Sequence, residues 1–574
     1  MPFTEPPERP GRTGRDARFR HRGPRLTKDI HTMSVPSRGR TARRTAAVSI
    51  LSVAALTAAA CGSGRTDDGG GAGGEGGGEA LVVGTTDQVY SLDPAASYDN
   101  GSFTIMNQVY PFLMNYAPGS DELQPDAAES CEFSQPTVYT CTLKDDLTFA
   151  NGHALTSEDV KFSFDRIVSI NDPNGPSSLL ANLDSVAAPD DKTVEFTLKA
   201  ANDQTFPQVL ATNTGPIIDS EVFPADSILD DNAVVAAKPF AGPYSIDSYE
   251  KNSLVSFSAA ADYKGVLGEP KTGSVTLRTY TSADNLKLDM QNKSIDVAWR
   301  SLTPTDIESL DQVDGLTVHE GPGGELRYIV FNQNTMPGGT PEQKLAIRKA
   351  MAASVDRDAL SENVYKGTFT PAWSVVPSGL EGANTAFKDV YGEAPNKDEA
   401  AKFLSDAGVQ TPVAVNLQYN PDHYGSSSSE EYAAVKAQLE SSGLFTVNLQ
   451  STEWNTYNKE RVADTYPVYQ LGWFPDFPDA DNYLTPFFAP DNFLQNHFEN
   501  PEITALIDSE RTETDPARRS EIIGEIQTRM AQDFVSTLPL LEGKQIAIST
   551  DEVQGVDETL DASFKFRFTP LTKG

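Results

Sequence analysis

Histidine and cysteine are scarce in this chain, with six of the first and three of the second in 574 residues. His21, His31, His153, His319, His423 and His497 are dispersed, and no pair has metal-ligand spacing, so no metal is expected. A nucleophile-elbow G-x-S-x-G and a Walker sequence are both missing. Triads can assemble from distant positions, but no local pattern argues for an enzyme or a cofactor.

The apolar run Ala46–Ala60 has fifteen residues, short of the roughly 20 that a permanent membrane span needs. Positive charge is equally uneven. Residues 1–60 carry 12 Lys/Arg against 4 Asp/Glu, leaving 34 basic and 77 acidic residues for the remainder. A body this acidic is repelled by nucleic acid and anionic headgroups, which excludes them as partners. Charge alone says nothing of the fold. The length allows more than one core, and 38% hydrophobic residues can fill them.

Arg38, Arg40, Arg43 and Arg44 precede the apolar run, and Ala58-Ala59-Ala60 ends it, as in a secretory signal. Residues 1–32, rich in Arg and Pro, do not suit a signal start, and Met33 is an alternative initiator. Cys61 follows directly, so the segment resembles a bacterial lipoprotein signal, in which the cysteine is lipidated. It departs from that pattern in having Ala58 where Leu is usual. Gly62–Gly78 is almost all Gly, Ser and acidic residues, a flexible coil spanning about 25 Å. With Cys61 occupied, Cys131 and Cys141 are left to pair, and an exported compartment would preserve their bridge.

From Leu81 onward, strand-like and helical patterns alternate, which argues for an α/β architecture. Val138–Leu143 alternates as a strand, and a turn containing Pro136 brings Cys131 back beside it. Phe103–Tyr116 has helical spacing. Helices are also expected after the caps Thr156 and Thr340, over Lys397–Ala407 and over Glu430–Leu439, with strands at Val413–Leu417 and Phe445–Leu449.

Gly472-Trp473-Phe474-Pro475-Asp476-Phe477-Pro478-Asp479-Ala480-Asp481-Asn482-Tyr483 sets three carboxylates among four aromatic rings. It lacks the turn glycine and terminal Glu of a calcium loop. Two readings stay open on residue types: an acidic turn on an aromatic mini-core, or a ligand site in which a carboxylate holds a cationic group.

Tyr139–Lys144 with Thr148–Phe164, then Gly242-Pro243-Tyr244, Ser294–Ala298, Tyr328–Asn332, Arg348–Met351 through Asp356-Arg357, and the Trp473 stretch, are similar in order to the family 5 bacterial extracellular solute-binding proteins. That resemblance implies a two-lobe periplasmic-binding fold, class II-like, with an extra subdomain in the first lobe. The implied division is 1–60 signal, 61–80 lipidated Cys and tether, 81–300 lobe I, 301–536 lobe II and 537–574 returning to lobe I. It also implies a monomeric, lipid-anchored binder on the outer face of the membrane that passes peptide-like solutes to an ABC permease. Asp476 would hold a solute ammonium, Trp473 would line the pocket, and Arg300 and Arg327 are candidate partners for a solute carboxylate. Asp479 and Asp481 match a segment that is more often structural.

Overall fold

The computed structural model describes residues 80–300, 302–561 and 563–574. Cys61, the signal segment and the Gly-rich tether lie outside the described residues. Strand-forming and helix-forming segments do alternate. Among the described residues, eleven strands join one mixed sheet. Its path runs Phe445–Ser451, Val413–Tyr419, Val468–Trp473, Leu316–Phe331, Thr537–Thr550, Val297–Trp299, Leu81–Thr85, Ser274–Thr279, Leu254–Ala259 and Tyr244–Glu250, with Phe369–Pro371 paired to Thr537–Thr550 off this path.

Two long strands, Leu316–Phe331 and Thr537–Thr550, run antiparallel through the middle of the sheet. The first core lies to one side of them, where Leu81, Val83, Phe257 and Val275 pack against Phe566 and Phe568 of the C-terminal tail. On the other side, Ile329, Phe331, Ile347, Leu417, Tyr432 and Leu538 form another core. The pairing register shifts between Gly321 and Glu325, so the ladder is broken where the strands pass from one core to the next.

A separate four-stranded antiparallel sheet (Ala128–Gln135, Val138–Leu143, Thr193–Leu198, Leu183–Ala187) packs on the helix Ser157–Ile170. In Val138–Leu143 the buried positions are Tyr139, Cys141 and Leu143, the two-residue period of a strand with one face inside. Cys131 stands directly opposite Cys141 across the hairpin, and their sulfurs are bonded at 2.01 Å. The helix begins where its caps dictate. The Asp159 carboxylate accepts from the Thr156 N–H at 2.9 Å, the return half of a capping box. Thr340 Oγ1 likewise accepts from the Gln343 N–H at 3.3 Å, ahead of the helix Pro341–Ala352.

The helix expected over Phe103–Tyr116 is shorter, Asn100–Val109, and Met114–Tyr116 is a strand. Pro111 is the cause. It has no N–H to donate, and it pushes Tyr110 into extended backbone (φ −98°, ψ 147°).

The bridge closes a loop of ten residues in sequence. Chain entropy alone then assigns it about 2–3 kcal/mol. Replacing both Cys131 and Cys141 with Ala is expected to lower the unfolding free energy by about that amount in denaturant titration; an unchanged midpoint would contradict it.

Candidate functional site

The strand Val468–Trp473 pairs with Leu316–Phe331, setting Gly472 opposite Arg327 and Trp473 opposite Leu326. Glycine is required at 472. A Cβ there would lie 2.8 Å from the Tyr424 ring and 3.2 Å from Arg327 Nη1. Beyond Trp473, Pro475 and Pro478 prevent a regular element until the short turn Ala480–Tyr483. Asn482 ties this loop together. Its Oδ1 accepts from the Trp473 indole N–H and from the Asp476 backbone N–H, each at 3.0 Å. The Tyr483 hydroxyl donates to the Gly324 carbonyl at 2.5 Å, pinning the loop to the long strand.

Two contacts tie the loop to elements earlier in the chain. Phe477 is buried in the core that contains Tyr139 and Phe206. The Tyr98 hydroxyl donates to Asp476 Oδ1 at 2.6 Å. Asp476 Oδ2 has a weaker contact, from the Asn482 amide at 3.4 Å. Burial raises the Asp476 pKa, and the bonds from Tyr98 and Asn482 oppose that rise. The result is a half-buried carboxylate with one oxygen lightly used. Tyr98 and Asn482 escaped the sequence reading. Tyr98 is 378 residues from its partner, and no local pattern could join them.

Asp479 and Asp481 face the protein instead. Arg519 grips Asp479 with two nitrogens at 2.8 and 2.7 Å and also reaches Glu510 at 2.9 Å. Arg511 Nε lies 3.9 Å from Asp481, while its Nη2 donates to Asp203 at 3.2 Å. Burial and then Asp481 raise the Glu510 pKa, and burial also raises that of Asp481, against the pull of Glu510 and Arg511. These are structural roles.

A cavity of about 400 Å³ opens beside the loop, lined by Asp87, Arg300, Phe564, Glu325, Arg327 and Phe474 among others. Trp473 was expected on this wall, and Phe474 occupies it. Successive side chains of an extended segment point to opposite sides. Trp473 therefore packs on Phe487 and Phe493, with ring centroids 5.5 and 5.3 Å away, and supports the loop from behind.

Arg300 and Arg327 both meet at this cavity. Arg300 has left-handed backbone (φ 64°), a conformation that costs a non-glycine residue about 1–2 kcal/mol and that clusters at functional sites. Its guanidinium lies 5.2 Å from the centroids of both Phe474 and Phe564, and its Nε is 3.7 Å from Asp87. Arg327 is buried, pairs with Glu325, and donates through Nη2 to the Tyr424 carbonyl at 2.7 Å. Burial works most strongly against the Arg327 charge, but Glu325, Tyr365, Glu431 and Tyr424 together outweigh it, so its pKa is raised. Glu325 itself is raised by burial, against the pull of Arg327 and Arg300. His423, also on the wall, is lowered to about 4 by burial and then by Arg327. Among the described residues, no three His, Cys, Asp or Glu side chains gather to hold a metal.

Behind Arg327, Glu431 accepts from the Tyr365 hydroxyl at 2.8 Å, and burial raises it to about 7. Its ordinary value is near 4.5, so between pH 4.5 and 7 the folded state binds more protons at this site than the unfolded one. Stability from this group falls as pH rises through that window and is level above it. Glu431→Gln keeps an acceptor for Tyr365 without the titration. Its melting temperature relative to the parent should improve from pH 4.5 to pH 7.5; a difference constant across that range would contradict the assignment.

The profile of the bacterial extracellular solute-binding proteins, family 5 middle region, matches residues 122–495. The probable D,D-dipeptide-binding periplasmic protein of Escherichia coli is 25% identical over 490 residues, covering 83% of this chain and 91% of that relative. The oligopeptide-binding protein of Bacillus subtilis is 25% identical over 523 residues, covering 84% and 91%. In fold, the chain is similar to the ABC transporter substrate-binding protein CtaP of Listeria monocytogenes, with TM-score 0.73, 22% identity, and 86% and 99% coverage. It is also similar to the periplasmic binding protein DppA of Helicobacter pylori in complex with the peptide STSA, with TM-score 0.69, 18% identity, and 86% and 98% coverage. The fold is thus the mixed α/β fold of periplasmic binding proteins, and by its own sequence the chain belongs to family 5 of the bacterial extracellular solute-binding proteins.

Proposed function

We propose that this chain captures short peptide-like solutes between two lobes and delivers them to the permease of an ABC importer, without performing a reaction on them. The observation that carries this reading is Asp476, a half-buried carboxylate on the loop beside the cavity, with Oδ2 lightly occupied. A half-buried carboxylate of this kind is stabilised by a cationic donor, and a peptide α-ammonium supplies one. The names of the two relatives, dipeptide-binding and oligopeptide-binding, and the peptide in the Helicobacter structure support the same class.

Residues 81–300 with 537–574 form one lobe in this reading, and 301–536 the other. The long strands act as the hinge, and Phe477 and Tyr98 hold the loop to the first lobe when the cleft is shut. The protein acts as a monomer, and capture followed by release is served by micromolar affinity, about −8 kcal/mol. The signal pattern ending at Ala60 supports a lipid anchor at Cys61 on the outer face of the membrane. Among the described residues, no helix is long and apolar enough to cross it.

Asp476→Asn keeps the shape of the side chain and removes its charge. Calorimetry with a peptide that binds the parent should show affinity weakened by about 30-fold or more, since a buried charge pair loses a partner. Unchanged affinity in a variant with an unaltered melting curve would remove Asp476 from the site.

A further inference from the structure

Arg511 meets a segment 308 residues earlier through both its side chain and its backbone. It stands in the last turn of the helix Pro501–Thr512, where the final carbonyls have no partner within the helix. The Gln204 N–H donates to the Arg511 carbonyl at 2.8 Å, and Arg511 Nη2 donates to Asp203 Oδ2 at 3.2 Å. The acceptor is set in advance by its own neighbours. Asp203 is 3% exposed. Its Oδ1 accepts from the Thr205 N–H at 3.0 Å and hydroxyl at 2.7 Å, and its Oδ2 from the Asn182 amide at 2.5 Å.

The other side of Arg511 faces the loop that carries Asp476. Its Nε lies 3.9 Å from Asp481 and has no hydrogen-bond partner. Glu510, next to it in sequence, meets Arg519 at 2.9 Å, and Arg519 grips Asp479. Charged groups thus lead from Asp203 through Arg511 into the acidic tail of the loop. Asp203, Gln204 and Arg511 are not among the residues lining the cavity beside the loop, so their contact lies outside the volume that a solute would fill. A groove of about 370 Å³ opens alongside it instead, lined by Gln204, Asp479, Glu513 and Arg519 among others, and the Arg511 side chain is 30% exposed. Water can take over the guanidinium when the contact parts, and Asp203 keeps its three local bonds. The pair can therefore break without stranding a charge in an apolar interior.

We infer that Asp203 and Arg511 form a closure latch, a positioning pair that holds the cleft shut without touching the solute. The inference rests on the reading of a cleft that closes on a peptide, in which Asp203 belongs to one lobe and Arg511 to the other. Phe206, just beyond Asp203, shares a core with Phe477 of the loop, so the latch and Asp476 close in one movement. A solute that binds only the shut form is held more weakly when fewer molecules are shut. Loss of the latch lowers that fraction by one factor, whatever the sequence of the solute. Loss of Asp476 acts on the solute's ammonium instead. The latch sets how tightly the cleft holds, and Asp476 sets what it holds.

Arg511→Gln, Asp203→Asn and the double variant, each checked for a cooperative melting curve, test this against the parent chain. Small-angle scattering without peptide should show both single variants more expanded than the parent, and saturating peptide should return them to the parent's size. Calorimetry with a panel of unrelated di- to pentapeptides should show affinity weakened by about tenfold for every peptide alike, the worth of one charge-assisted hydrogen bond. The double variant should be no weaker than either single one, because both remove the same contact. Arg511→Lys, which keeps the charge, should recover part of the loss. Variants as compact as the parent with unchanged affinity, or losses that multiply in the double variant, overturn the latch and leave the peptide reading standing. A parent that binds no peptide of the panel overturns the peptide reading, while scattering from the peptide-free variants still decides the latch.

Discussion

Pairing of the strands Leu316–Phe331 and Thr537–Thr550 underlies the whole arrangement, because Thr537–Thr550 places Leu538 in one core and Ala547 in the other while Leu316–Phe331 pairs along it. Their ladder fixes where Glu325 and Arg327 face the cavity and where Gly324 receives the Tyr483 hydroxyl. Gly323 and Gly324 allow the close approach at the break in register. A Cβ on Gly324 would fall 2.6 Å from Pro475 and 2.7 Å from the Tyr483 oxygen. The loop that carries Asp476 is therefore seated on the strand that carries Arg327, and movement of one carries the other.

The loop that carries Asp476 is held by apolar and polar contacts together. Phe477 contributes the main apolar contact from the loop, about 1.5–3 kcal/mol when fully buried. Tyr98–Asp476 and Asp203–Arg511 add hydrogen-bonded pairs. Arg511 also approaches Asp481, and Arg519 grips Asp479, so guanidinium groups face the acidic tail of this loop. Only Asp476 of the three loop carboxylates is left without a guanidinium, and that distinguishes it.

Much of the scaffold was legible because its determinants are local. Thr156 and Thr340 announced their helices, and the alternation in Val138–Leu143 placed Cys141 on the buried face opposite Cys131. Pro111 could have shortened the helix expected over Phe103–Tyr116, since the rule that stops it is equally local. The site was legible in part. Carboxylates among aromatic rings marked the loop, but which ring faces the cavity depends on the parity of an extended segment, and Phe474 rather than Trp473 took that place. Tyr98 and the left-handed backbone at Arg300 arise from tertiary assembly, so they leave no trace in residue spacing.

The central claim is that Asp476 receives the cationic end of a short peptide at the seam. A crystal structure of the protein with a peptide that it retains through purification tests this most directly. The account predicts the peptide nitrogen within hydrogen-bond distance of Asp476 Oδ2, with the chain running past Phe474 towards Arg300 and Arg327. A peptide bound elsewhere, with Asp476 still held only by Tyr98 and Asn482, would contradict it.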